Sequence, residues 1–268
     1  MPDVYSHLTE LDPSTIEMLA QAMEMRAADP VQREFVDSYM SRLTLPDAAR
    51  VLEIGCGTGA IARMLAQRPE IGEVVRMDPL EPLLERAREL AAGLTNLSFR
   101  PGRGEQLPVD DSSLDAVVIH TVPSHMPDPR SALREAHRVL VPGGWLAIFD
   151  GDYATITFAT GDSDPLEACA AAFRMAHIND PSVMRRAVAM IDDAGFVGPQ
   201  LTSHGYAQVV EPAYMLWVLG RGAEVLVTEG VIGPALADSL QAEARRRVSQ
   251  GSFFGQVTYI SVVALRGF

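Results

Sequence analysis

The sequence predicts an α/β fold: a mostly parallel sheet with helices on both faces. Three observations predict it. From residue 50 onward, short apolar runs alternate with stretches of helical period. The first apolar run ends in a turn with glycine at every second position, Gly55, Gly57 and Gly59. A later run, AVVIH at 116–120, is continuously apolar, as in a strand covered on both sides.

The elements follow in order. Residues 13–29 read as a helix, with Asp12 or Ser14 as its cap and Pro13 in its first turn. Asp29-Pro30 breaks it, and 31–43 resumes with Phe35, Tyr39 and Leu43 on one face. Strands are expected at 50–54, 73–77, 96–100, 115–121 and 145–150. Helices fall between them at 60–67, 82–92 and 130–140, the last ended by Pro142-Gly143-Gly144. The remainder reads as helices at 165–177 and 181–194, a strand at 200–210, helices at 212–228 and 234–249, and a strand at 255–265. The forty or so residues between the last two strands suggest a helical cap inserted near the end of the sheet.

Composition narrows the class. The 268 residues suffice for one large α/β domain or two small ones, and 47% hydrophobic with 21% charged residues is ordinary globular usage. A net charge of -13 opposes binding to a phosphate backbone, and the densest basic run is only Arg245-Arg246-Arg247, so no nucleic-acid partner is expected. Cys56 and Cys169 match no metal or disulfide spacing. The N-terminal stretch lacks the basic start and apolar run of a secretory signal, and 213–227 is interrupted by Arg221 and Glu224. A cytoplasmic protein without a membrane span is the expectation.

The stretch VLEIGCGTG at 51–59 is a strand, a glycine turn and a helix start. Glycines let the backbone turn tightly and a ligand approach closely, and the helix start offers unbonded N–H groups. Gly55, Gly57 and Ala60 also satisfy the dinucleotide fingerprint, so a dehydrogenase is a rival on the turn alone. Glu53 argues against it: a carboxylate at that strand end would repel a pyrophosphate but suits a ligand carrying an ammonium and a sulfonium. Asp78 ends the next strand, nineteen residues after Gly59.

These residues resemble the first motifs of the class I S-adenosylmethionine-dependent methyltransferases. The segment 102–150, GRGEQLPVDDSSLDAVVIHTVPSHMPDPRSALREAHRVLVPGGWLAIFD, is similar to the ubiquinone/menaquinone-type small-molecule methyltransferases. The resemblance covers about 48–200. It implies a Rossmann-like seven-stranded sheet with an antiparallel last strand. The domains expected are an N-terminal helical lid (1–47), an S-adenosylmethionine-binding α/β domain (48–210), a helical cap insertion (211–250) and the last strand (251–268). It also implies S-adenosylmethionine as cofactor, held by Glu53, Gly55, Cys56 and Gly57, with Asp78 receiving both ribose hydroxyls and Pro79 and Leu83 packing on the adenine. Arg103 stands where the family commonly has an acid facing the adenine amino group, which leaves the backbone of Gly104 as the contact there.

Methyl transfer is an in-line displacement at a carbon already activated by the sulfonium, so the chief demand is alignment, and a base is needed only for a protonated nucleophile. His120, at the carboxyl edge of its strand, is a candidate base or cofactor contact. His125 and Tyr153 are further catalytic candidates. No metal is expected, because Asp150 and Asp152 are the only local acidic cluster. For the acceptor pocket, Tyr5, Met215 and Trp217 are the chosen residues, with Met18, Met23, Phe253 and Phe254 as other candidate lining. The expected function is methyl transfer to a small, largely apolar metabolite, a natural product or quinone-like molecule, at O, N or C. Alternatives are a cyclase or isomerase that retains the cofactor without transfer, and a non-catalytic S-adenosylmethionine-binding protein. A homo-oligomer stays open.

Overall fold

A computed structural model describes residues 12–268. The N-terminal pair is α1 (Pro13–Ala28) and α2 (Pro30–Met40). Asp12 caps α1, accepting from the N–H groups of Ser14 and Thr15, and Asp29 both ends α1 and caps α2. The alternating region follows as β1 (Ala49–Ile54), α3 (Ala60–Ala66), β2 (Ile71–Asp78), α4 (Glu81–Leu90), β3 (Leu97–Pro101), β4 (Leu114–His120), α5 (Pro129–Val139) and β5 (Leu140–Thr157). The last part comprises α6 (Glu167–His177), α7 (Ala187–Asp193), β6 (Phe196–Gln208), α8 (Ala213–Thr228), α9 (Pro234–Ser249) and β7 (Gly255–Arg266).

The seven strands form one sheet in the order β3-β2-β1-β4-β5-β7-β6. The pairs from β3 to β5 are parallel, while β7 runs antiparallel to both β5 and β6. The order reverses at β1/β4, so their carboxyl ends open a crevice there, where open α/β sheets bind ligands. Alternate residues divide the core. Val51, Ala116, Val118 and Phe149 pack with α2, α6 and α8 on one side, and Leu52, Val117, Ile119 and Ile148 with α5 and α7 on the other.

Two expectations need correction. Strand β5 is longer than expected, Leu140–Thr157: it pairs with β4 at Leu140, its register shifts across 141–144 and regular pairing resumes at Trp145, while β7 extends it through Gly151 and Asp152 and, after a second shift, Thr157. The helix expected at 181–194 is a 3₁₀ turn, Val183–Arg186, followed by α7. Asp180 accepts the N–H of Ser182, and the Arg185 guanidinium is drawn to Asp152 at 2.8 Å, which tightens the first turn. Among the described residues no helix is long and apolar enough to cross a membrane.

Candidate active site

The glycine turn is stapled to the end of β2. The N–H groups of Gly55 and Cys56 both donate to the Met77 carbonyl, at 2.8 and 3.0 Å, and Gly57 N–H donates to Asp78 Oδ2 at 2.8 Å. Gly55 and Gly57 have φ of 72° and 51°, and an added Cβ would stand 2.4 Å from Val122 Cγ2 and 2.5 Å from Met23 Sδ respectively. Both positions therefore favour glycine for conformation, and Gly55 also for space against branched Val122. Gly59 starts α3 in the left-handed region and offers no side chain to cap it, while the N–H of Ala62 in the first turn bonds the Glu53 carboxyl.

Two carboxylates face this turn. Asp78 is buried; its Oδ1 accepts Leu80 N–H at 2.9 Å while Oδ2 holds Gly57. Each oxygen keeps capacity for a second donor, which suits a vicinal diol. Glu53 is buried, and its Oε2 has no hydrogen-bond partner among the described residues. Burial pushes its carboxyl up to about 8, partly offset by the Arg76 guanidinium in the register-matched position of β2. Arg76 is itself fully buried, 3.2 Å over the Phe99 ring, with no hydrogen-bond partner among the described residues. Burial, with the charges of Glu53 and Asp78, raises the Cys56 thiol well above the ordinary range.

The turn and its acids line a cavity of about 250 Å³, which runs past Pro79, Leu80, Arg103 and Gly104 at one end. An orphaned carboxyl oxygen, two left-handed glycines crowded by side chains and an anchored acid with spare lone pairs fit the chemistry of S-adenosylmethionine, which carries an ammonium, a slender amino-acid portion and a vicinal diol. Leu83 is a correction. It does not line the cavity; α4 begins at Glu81, and its phase turns Leu83 inward beneath Leu80, where it packs with Ala20. Arg103 reaches the cavity rim with an exposed side chain, while Gly104 is buried beside Ile54.

Helix α1 closes over this end. Glu24 accepts from Thr58 Oγ1 and from Arg63 Nη2, each at 2.6 Å, and Arg26 Nη2 donates to Thr121 Oγ1 at 2.7 Å. Met18 and Met23 line the cavity from above. Tyr5 lies outside the described residues.

The other end holds the catalytic candidates. His120 lines the cavity, stacks on Phe149 at 4.5 Å between centroids, and shares a 3.1 Å hydrogen bond between Nδ1 and the buried Tyr39 hydroxyl. Burial and the charge of Arg26 hold it well below the usual histidine range, so it is neutral at pH 7. His125 lines the cavity from a loop that Asp150 anchors through Ser124 N–H at 2.8 Å. Tyr153 lines it from β5. Asp150 is thus a loop anchor, and Asp152 pairs with Arg185.

Of the acceptor candidates, Trp217 lines the cavity and Met215 does not. Met215 sits one position out of phase on α8, fully buried over Gly255, with its N–H donating to Gln208 Oε1 at 3.0 Å. Phe253 and Phe254 are also absent from the wall. Among the lining residues that sequence reasoning missed are Gln32, Arg33, Phe173, His177, Tyr214 and Arg221. The spacing of Tyr214, Trp217 and Arg221, and of Phe173 and His177, would have placed each set on one helix face.

Comparisons with known proteins bear on the family and the fold. Residues 52–148 match a family described as a methyltransferase domain. The chain is 30% identical over 251 residues to an uncharacterised 37.1 kDa protein of a Streptomyces fradiae transposon, covering 85% of this chain and 70% of that protein. It is 35% identical over 143 residues to the methyltransferase GfsG of Streptomyces halstedii, 52% of this chain and 48% of that one. Several curated relatives thus match over only about half of their length or less; an uncharacterised methyltransferase of Schizosaccharomyces pombe is matched over 40% of its own. The YcgJ structure from Bacillus subtilis shares the fold with a TM-score of 0.62, 21% identity and coverage of 88% of this chain and 99% of that one.

Proposed function

The chain belongs to the class I S-adenosylmethionine-dependent methyltransferases, and from that premise we propose that it methylates a small, largely apolar metabolite enclosed beside the cofactor. One observation carries this reading. One cavity runs from Glu53 and Asp78 to a wall of Tyr153, Phe173, Tyr214 and Trp217, which supports a cofactor and an acceptor bound side by side in one cleft. Bound S-adenosylmethionine supplies a methyl carbon activated by the sulfonium.

The protein's own residues then do the rest. Glu53, Asp78 and the glycine turn hold and orient the cofactor. Helix α1, latched by Glu24 and Arg26, excludes water from the cleft. The aromatic wall holds the acceptor in line. His120, neutral and buried, is a weak base that fixes the β4 end, whereas His125 on its anchored loop is the group placed to take a proton from an acidic nucleophile.

The test is transfer of a labelled methyl group from S-adenosylmethionine to members of a panel of apolar aromatic and polyketide-like metabolites. A labelled product supports the reading. Conversion of an acceptor without gain of a methyl carbon would instead place the protein among cofactor-retaining cyclases. Tight S-adenosylhomocysteine binding with no reaction on the panel would count against catalysis on such acceptors.

A further inference from the structure

The acceptor end of the cavity differs from the cofactor end in charge and in unmet hydrogen bonding. The carboxylates that line the cavity, Glu53, Asp78 and Glu105, all stand at the cofactor end. Among the described residues, the walls contributed by α2, α6 and α8 carry no acid, although the chain as a whole has a net charge of -13. They carry Arg33, His177 and Arg221 instead.

Helix α8 presents Tyr214, Trp217 and Arg221 at positions i, i+3 and i+7, one face of the helix. The Tyr214 and Trp217 rings are stacked, with centroids 6.1 Å apart and 12° between planes, and Phe173 meets Trp217 edge-on at 6.1 Å. Such an aromatic wall suits a flat π system laid against it. Arg221 continues the same face. It pairs with Glu224, yet its Nε is buried and has no hydrogen-bond partner among the described residues. From α2, Gln32 lines the cavity with a side chain only 3% exposed, and neither its amide oxygen nor its nitrogen has a partner among the described residues. A buried amide with both groups unbonded costs stability unless a ligand satisfies it.

We propose that Gln32 and Arg221 form an acceptor-recognition site for a planar, conjugated acid: a ring system seated on Trp217, its acidic oxygens toward Arg221 and a neutral polar group on the ring meeting the Gln32 amide. This rests on the reading of the cavity as a methyl-acceptor site and narrows it from apolar to aromatic and anionic.

The test uses the full chain loaded with S-adenosylhomocysteine and four probes: 3-hydroxy-2-naphthoate, its neutral carboxamide, naphthylmethylammonium and cyclohexanecarboxylate. Binding is followed by calorimetry and by tryptophan fluorescence, with Trp217→Phe identifying the quenched ring. The naphthoate is expected to bind about tenfold or more tightly than the other three, because the carboxamide and the ammonium lack the charge-assisted hydrogen bond and the saturated acid lacks the aromatic contact. Arg221→Leu should abolish that preference over the carboxamide, Arg221→Lys should keep part of it, and Gln32→Leu should weaken naphthoate and carboxamide alike. Unchanged S-adenosylhomocysteine affinity in each variant reports an intact fold.

Equal binding of the cation or the saturated acid, an unaltered preference in Arg221→Leu, or no probe binding to the loaded protein overturns the proposal. Failure of the unmodified chain to bind S-adenosylhomocysteine would strike the underlying functional reading instead, and that measurement is made first.

Discussion

Asp78 and Gly57 form one unit: the carboxylate that ends β2 accepts the N–H of the second turn glycine at 2.8 Å, and its other oxygen accepts Leu80 N–H at 2.9 Å. Asn at this position keeps one acceptor and turns an NH₂ group toward a backbone N–H. Asp78→Asn should therefore distort the turn as well as remove a ribose contact. Calorimetry should show S-adenosylhomocysteine affinity lowered by about ten- to a hundredfold, the range for a hydrogen bond to a charged group.

Glu53 makes cofactor binding depend on pH. Its folded carboxyl is raised to about 8, so it is largely neutral at pH 7 and must lose its proton to face an ammonium group. Affinity for S-adenosylhomocysteine should rise from pH 6 to 8, by up to about tenfold per unit, with proton release seen as a buffer-dependent heat. Glu53→Gln should flatten this profile. Arg76→Met should move its midpoint upward, because Arg76 is the stronger of the two charges, with Arg63, that lower Glu53. The stability sign is also fixed. The folded value lies above the unfolded one, so Glu53 contributes stability to the free protein that is full below about 4.5 and is lost as pH rises through about 8.

The two turn glycines should respond differently to a methyl group. Each is strained for alanine, at about 1–3 kcal/mol. At Gly55 the added carbon also meets branched Val122, whereas at Gly57 it meets the flexible end of Met23. Gly55→Ala should lose cofactor binding more completely in a direct titration. Met23→Ala should partly rescue Gly57→Ala, and it should do nothing for Gly55→Ala.

Tyr39 and His120 lie buried together, so Tyr39→Phe strands an imidazole nitrogen. Denaturant unfolding should show a loss of about 1–3 kcal/mol. Burial also keeps His120 neutral, and the rate-versus-pH profile between 6 and 8 should carry no limb that disappears in His120→Asn.

The glycine turn, Asp78 and the strand–helix alternation were readable in sequence because backbone conformation and short-range spacing set them. Leu83 was misplaced because the site depends on where α4 begins; a start at Glu81 leaves Leu80 at the cavity. Met215 was misplaced by one step of helical phase, which the Gln208 contact with its N–H helps set from another strand. Gln32 carried no local signal at all. It matters through the cavity it shares with α6 and α8, a relation between segments far apart in the chain.

Asp29 ends α1 and caps α2, and its Oδ2 also receives the Tyr206 hydroxyl at 2.6 Å and the Gln208 amide at 2.8 Å. Gln208 in turn accepts the first-turn N–H of Met215 on α8. The joint between the covering helices and the root of the acceptor wall thus meet at a single carboxylate. As a result, these two parts are not interchangeable modules. A chimera that imports α8 from another family member should keep its new specificity only if Asp29, Tyr206 and Gln208 travel as a set with a helix start that Gln208 can hold.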